Sequence, residues 1–89
     1  MKQEKQSMNW PKELGMPGPE LFGSTKKWCQ WFVNSYVPNL PRSEQILFAQ
    51  MKGKISDFLL WKAYSIGKLR PEAVEPFKDF CLRVYKVKI

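Results

Sequence analysis

Apolar side chains recur at helical spacing through most of the chain after residue 24. In the stretch 25–36 the bulky apolar residues follow one another at intervals of three, one and four, which places them on one face of a helix. Ser24 precedes this stretch and is suited to cap it, because a serine hydroxyl accepts a hydrogen bond from an unpaired backbone N–H. We therefore predict a helix over about residues 25–36. Its apolar face consists of Trp28, Trp31, Phe32 and Tyr36.

Two more helices are predicted in the middle of the chain. The second starts at Pro41 or Ser43 and runs to about residue 51 or 52. Gly53 can end this helix, or the third helix can continue from it with little bend. Because glycine is costly inside a helix, we favour a break, with the third helix over about residues 55–66. Ser56 or a neighbour is expected to cap the third helix, and Gly67 to end it. Because apolar residues occur on nearly every side of the third helix, we expect it to be a central one.

The last part of the chain contains two prolines that are suited to start helices. Pro71 and Pro76 can each occupy the first position of a helical segment, so we predict one short turn followed by a long fourth helix from Pro76. Residues 85–89 alternate between apolar and basic, which is also typical of a half-buried strand. We favour a helix that continues at least to Val84, and the strand is the alternative.

The first 23 residues differ in pattern from the rest. Residues 1–6 are polar and charged, and we expect them to be a loose leader. From Ser7 to Gly23 prolines and glycines are too dense for a long helix or a regular strand. One helical turn is expected between Pro19 and Phe22, closed by the glycine that follows.

These elements predict an all-α protein, a compact bundle of four to five short helices preceded by a Pro/Gly-rich N-terminal arm. The length of 89 residues suits a single domain. We expect residues 1–23 to form the leader and an arm that packs on the domain, and residues 24–89 to form the helical domain. Thirteen aromatic residues can make the core rich, because each buried ring removes a large area from water.

Charge gives the clearest indication of function. Fifteen Lys and Arg against eight Asp and Glu give a net charge of +7, and residues 46–89 hold nine of the basic side chains and four of the acidic ones. When basic side chains neutralise the phosphates of a nucleic acid, the counterions held by those phosphates are released, and this release favours binding. We therefore expect a domain that binds nucleic acid, DNA favoured over RNA, mainly through phosphate contacts. Its role would be regulatory or accessory in replication, transcription or recombination.

Six basic side chains are the candidates for phosphate contact. One pair flanks Gly53, a second lies in the loop after Gly67, and a third lies near the C-terminal end. Basic residues near a helix end also complement its dipole, so the third pair has a structural explanation as well. Basic residues gathered on one side of the fold would favour nucleic-acid binding, whereas dispersal among carboxylates would favour a protein-interaction role. The six are Lys52, Lys54, Lys68, Arg70, Lys86 and Lys88.

The alternative is a protein–protein interaction module, or a bundle that associates with a copy of itself. Small helical bundles often present one face or groove to a partner helix. The apolar patch would come from a bundle face and from the N-terminal arm. The arm residues proposed for this contact are Trp10, Met16, Leu21 and Phe22.

The tryptophans of the first helix have two interpretations. Trp28 and Trp31, beside Lys26 and Lys27, could stack on the bases of a single strand. A stripe of aromatic residues at helical spacing is more often core, and we favour that interpretation. Contact with an anionic membrane through the lysines is a third interpretation. We do not favour it, because no amphipathic helix has a clearly basic polar face.

Several kinds of chemistry lack the residues that they need. The chain has no histidine, and its two cysteines cannot complete a zinc site. We therefore expect neither enzyme activity nor a cofactor, a metal or a small-molecule substrate. The acidic residues of the last helix are expected to form a solvated face that balances nearby basic ones. These residues are Glu72, Glu75 and Asp79, with Lys78 and Arg83.

The cysteines and the absence of long apolar runs indicate a compartment. Cys29 and Cys81 are expected to be buried thiols in a reducing environment rather than a disulfide. The opening residues are polar, and the longest apolar runs, such as 58–61, have only four residues, so we expect no membrane span. An intracellular protein, cytoplasmic or nuclear, is the simplest expectation.

Overall fold

The computed structural model describes residues 10–89, and the predicted leader at residues 1–6 lies outside this range. Within residues 10–89 all regular structure is helical and there is no strand, which confirms the all-α prediction. Four of the five α-helices have seven residues or more. They are α1 (Trp10–Glu13), α2 (Thr25–Trp31), α3 (Arg42–Gln50), α4 (Ile55–Ser65) and α5 (Pro71–Phe80).

The described part of the N-terminal arm folds against the helices that follow it. The indole Nε1 of Trp28 donates a hydrogen bond to the carbonyl of Pro17 at 2.9 Å, and α1 packs on α4. The predicted helical turn is a 3₁₀ turn at Pro19–Leu21, and Gly23 follows it with a φ of 81°. The division of the chain into an arm and a helical domain at residue 23 stays a prediction.

Helix α2 continues into a wider helical segment. The Ser24 hydroxyl accepts a hydrogen bond from the backbone N–H of Lys27 at 3.2 Å, which confirms the predicted cap. Phe32–Tyr36 then form a π segment, in which the N–H of Val37 donates to the carbonyl of Phe32 five residues earlier. A 3₁₀ turn over Val37–Asn39 ends this first helical unit.

Gly53 and Gly67 separate the helices as the sequence predicts. Both have positive φ values, 71° and 77°, which glycine adopts at little cost. Helix α4 begins at Ile55 as predicted, but of the residues considered for its cap Ser56 is excluded, because it is already the second residue of the helix. Lys54 occupies the capping position and makes no side-chain hydrogen bond there.

The predicted break before Pro76 is also wrong. A single helix, α5, starts at Pro71 and runs through Pro76 to Phe80. A proline inside a helix leaves the carbonyl four residues earlier without its N–H donor. Pro76 and Glu72 are both exposed, so water can hydrate the Glu72 carbonyl and the helix continues.

The C-terminal residues follow the helical prediction and not the strand alternative. A second π segment, Cys81–Tyr85, extends α5 beyond Val84. Lys86 then adopts a left-handed conformation with φ 59°, and the N–H of Val87 donates to the carbonyl of Cys81 at 3.2 Å. Residues 86–89 alternate between exposed and buried, but no strand within residues 10–89 pairs with them.

Helix α4 supplies much of the core, as expected of a central helix. It contributes Phe58, Leu59 and Ala63, while α1 and α3 pack on it. Both cysteines are free; Cys81 is buried as predicted, whereas Cys29 is only half-buried. No helix within residues 10–89 is long and apolar enough to cross a bilayer. The remaining core residues are Trp28, Phe32, Leu47, Phe48, Met51, Phe77, Cys81 and Val87.

Candidate nucleic-acid interface

A side-chain contact joins the two ends of the segment 52–88, which carries the six basic candidates. The hydroxyl of Tyr85 donates a short hydrogen bond to Oδ2 of Asp57, which lies in the first turn of α4. Helix α5 therefore runs back along α4, and its extension ends beside the start of α4. Burial, together with the hydrogen bond to Asp57, raises the pKa of Tyr85 to about 12.

This antiparallel arrangement brings three of the six candidates to one end of the molecule. Lys52 and Lys54 immediately precede α4, and Lys86 follows Tyr85. All three side chains are exposed, and within residues 10–89 no carboxylate lies within salt-bridge distance of any of them. We call these three residues the basic end.

The backbone at two of these lysines is unusual. Lys52 and Lys86 have φ values of 60° and 59°, and they are the non-glycine residues with positive φ in the described chain. Each follows the last turn of a helix, where the left-handed conformation reverses the chain. Lys86 Nζ also donates to the carbonyl of Arg83 at 3.3 Å, which complements the end of the helix.

Lys68 and Arg70 lie at the other end of α4. The 11 residues of this helix separate them from Lys54, and at 1.5 Å per residue the helix is about 16 Å long. Arg70 forms an ion pair with Glu72, Nε to Oε2 at 3.3 Å, and Lys68 is exposed after Gly67. The second candidate pair therefore does not join the basic end.

Lys88 lies in a third place. It lines a cleft of about 280 Å³ along α5, and two carboxylates, Glu75 and Asp79, line the same cleft. The exposed Lys88 thus has an acidic neighbourhood. Lys78, Leu82 and Ile89 complete the lining.

Part of the positive charge after position 45 is neutralised inside the molecule. The predicted solvated face of α5 is present, because Glu75 and Asp79 are more than two-thirds exposed and each pairs with a basic residue of the same helical unit. The basic residues are therefore neither all gathered on one side nor all paired. The ion pairs are Lys62–Glu44 at 2.6 Å, Arg70–Glu72 at 3.3 Å, Lys78–Glu75 at 3.9 Å and Arg83–Asp79 at 3.1 Å.

The arm residues proposed for partner contact are placed unequally. Trp10, Met16 and Phe22 are half-buried and pack against the core, so only part of each side chain is accessible. Leu21 is 71% exposed. The helical spacing of the sequence placed Val84 on the apolar face of the last helix, yet its side chain is 47% exposed. Leu82, which lies outside that spacing, is 53% exposed.

Comparison with known proteins adds no relative to this picture. No protein-family model, no curated protein and no solved structure matches the chain.

Proposed function

We propose that this protein binds nucleic acid through phosphate contacts, with DNA favoured over RNA, in a regulatory or accessory role in replication, transcription or recombination. The observation that carries the proposal is the basic end. Lys52 and Lys54 lie together in the sequence and Lys86 lies more than 30 residues later; all three are exposed and have no carboxylate partner in the described chain. Unpaired cations exposed together are the groups that displace counterions from a phosphate backbone.

The proposal predicts a defined dependence on salt. Three phosphate contacts on duplex DNA correspond to a slope of about −2.7 in a plot of log K against log salt concentration. We expect this slope from fluorescence anisotropy of a labelled duplex titrated with the protein at several salt concentrations. Affinity that does not change between low and moderate salt, or no binding at low salt, contradicts the proposal.

Two double variants distinguish binding at the basic end from a general effect of the net charge. Lys52→Asn with Lys86→Asn removes two charges of the basic end, and asparagine tolerates the left-handed backbone at both positions. Lys78→Gln with Arg83→Gln removes two charges that already have carboxylate partners. Both lower the net charge by two, but only the first is expected to weaken duplex binding strongly and to make the slope shallower by about two. Equal losses of duplex affinity in the two double variants would show that net charge alone determines binding and that the basic end is not a site.

A protein-interaction module remains the second candidate, and the exposure of Leu21 favours it. The side chain is 71% exposed beside Phe22 on the outside of the described arm. Light scattering at several concentrations tests self-association, and Leu21→Ser is expected to abolish it if this surface is used. A chain that self-associates through Leu21 and binds no nucleic acid supports this second function and contradicts the first.

A further inference from the structure

Three half-buried aromatic rings form a continuous row on the first helical unit. The ring centroids of Phe22 and Trp31 are 5.3 Å apart, and those of Trp31 and Tyr36 are 5.8 Å apart. Trp28, by contrast, is buried and its indole N–H is used within the fold. Trp28 is therefore a core residue, whereas Trp31 packs against the core with only part of its ring accessible. We call Phe22, Trp31 and Tyr36 the aromatic row.

The π segment explains why the row exists. In a regular α-helix, residues five positions apart point in directions about 140° apart, so Trp31 and Tyr36 would diverge. The wider turn of Phe32–Tyr36 has five-residue hydrogen bonding, which returns residues five apart to one face. The arm then adds Phe22 from outside the helix, through the 3₁₀ turn that packs on α2.

The surroundings of the row are cationic. Lys27 lies one turn before Trp31 on the same face of α2, and Lys26 is its neighbour; both are exposed. No carboxylate of residues 10–89 lies within salt-bridge distance of either lysine. The sequence also has no Asp or Glu between Glu20 and Glu44. A partner that matches this surface combines flat apolar faces with negative charge.

We propose that the aromatic row, with Lys26 and Lys27, binds single-stranded nucleic acid. Unpaired bases stack on the exposed parts of the rings, and neighbouring phosphates contact the two lysines. Surfaces that combine aromatic side chains with cations bind single strands with little regard to sequence, because every base has a π-face. This inference rests on the proposed function and assigns it a second surface and a substrate class, since bases in a duplex cannot reach the rings.

The test compares a single strand with a duplex. A labelled oligothymidylate of about 12 nucleotides suits a site of this kind, and the duplex of the same length is the comparison. Trp31→Leu is expected to lower the affinity for the single strand about 5- to 100-fold, as loss of one stacked base does. The affinity of the Trp31→Leu variant for the duplex is expected to differ from that of the unaltered protein by less than about twofold. Binding of the single strand is also expected to quench tryptophan fluorescence in the unaltered protein.

A matched control removes another half-buried indole. Trp61 on α4 lies beside Lys62, whose charge is paired with Glu44, so the same kind of ring lacks unpaired cations there. Trp61→Leu is expected to leave single-strand affinity unchanged. Lys26→Gln with Lys27→Gln, at exposed positions that do not threaten the fold, is expected to weaken single-strand binding.

The outcomes separate this inference from the proposed function. Duplex binding without single-strand binding overturns the inference and leaves the basic end as the site. Equal effects of Trp31→Leu on both ligands, or equal effects of Trp31→Leu and Trp61→Leu on the single strand, also overturn it. Self-association that Trp31→Leu abolishes would identify a second copy of the chain as the occupant, and the absence of all nucleic-acid binding contradicts both proposals.

Discussion

Among the side-chain hydrogen bonds within residues 10–89, the bond from Tyr85 to Asp57 spans the greatest length of sequence. It joins residues 28 positions apart and holds the extended α5 against the start of α4. Removing one partner of a charge-assisted hydrogen bond leaves the other group without its partner in a partly buried place. This pair could not be predicted from the sequence, because neither residue belongs to a recognisable motif.

Tyr85→Phe is expected to lower the free energy of unfolding by about 1–2 kcal/mol at neutral pH, because Asp57 loses its donor. Chemical denaturation followed by circular dichroism measures this. Tyr64→Phe is the control, since the half-buried Tyr64 makes no hydrogen bond through its hydroxyl within residues 10–89. A loss as large in the control would show that the effect is not due to the Asp57 contact.

The raised pKa of Tyr85 predicts a loss of stability at alkaline pH. An unfolded tyrosine has a pKa of about 10, whereas the folded value is about 12, so the folded state binds the proton more tightly. The stabilisation is complete below about pH 10 and is lost as the pH rises towards about 12. The unfolding free energy of the unaltered protein should fall more steeply over this interval than that of Tyr85→Phe. Parallel curves would contradict the prediction.

At the scale of elements, the two π segments have the same consequence for packing. The first brings Trp31 and Tyr36 into ring contact, and the second brings Phe80 and Tyr85 to 5.7 Å in an edge-to-face arrangement. Both pairs are five residues apart. Helical periodicity predicts contacts at three and four, so the sequence pattern could place the helices but could not predict these pairs.

Helix α5 contains a proline where an ordinary residue would make one more hydrogen bond. Pro76→Ala is expected to stabilise the protein by about 1–3 kcal/mol, because alanine restores the N–H to the Glu72 carbonyl and Pro76 is exposed. Part of this gain is offset by the greater freedom of the unfolded chain. Urea denaturation midpoints measure the change.

Pro71→Ala is the matched control, because Pro71 occupies the first turn of α5, where the missing N–H has no intrahelical partner in any case. It is expected to change stability little. If Pro76→Ala destabilised the protein instead, the packing of α5 would depend on a bend at Pro76.

At the scale of the whole molecule, one ring connects the helices. Phe32 is fully buried, and five aromatic rings have centroids within 6.4 Å of its own. They come from the first helical unit, α3 and α4. These rings are Trp28, Trp31, Tyr36, Phe48 and Phe58.

Phe32→Ala is expected to cost about 3–5 kcal/mol, out of a total stability of about 4–13 kcal/mol for a chain of this length. The variant is therefore expected to melt at a temperature lower by about 12–40 °C, which thermal melting followed by circular dichroism would report. Val33→Ala, at a neighbouring side chain that is 46% exposed, is expected to cost less than about 1 kcal/mol. An unchanged melting temperature in Phe32→Ala would show that the core does not depend on this ring.

Charge is also a property of the whole molecule, and here the sequence and the structure differ in detail. The sequence counts a surplus of cations after position 45, without showing which of them have partners. The fold places Lys52, Lys54 and Lys86 at one end, Lys68 and Arg70 about 16 Å away along α4, and Lys88 beside carboxylates. The six candidates therefore form no single surface, and the basic end is the part of the prediction that carries the proposed function.

The sequence by itself determined the helical class, the breaks at Gly53 and Gly67, the Ser24 cap and the central character of α4, because each depends on residues within one or two turns of each other. Only the tertiary structure decided that α5 passes through Pro76, that the π segments align aromatic residues five apart, and which lysines lie together. These features depend on hydration of an exposed carbonyl, on packing between elements, and on contacts such as Tyr85–Asp57 between distant residues. A local pattern contains no information about such distances.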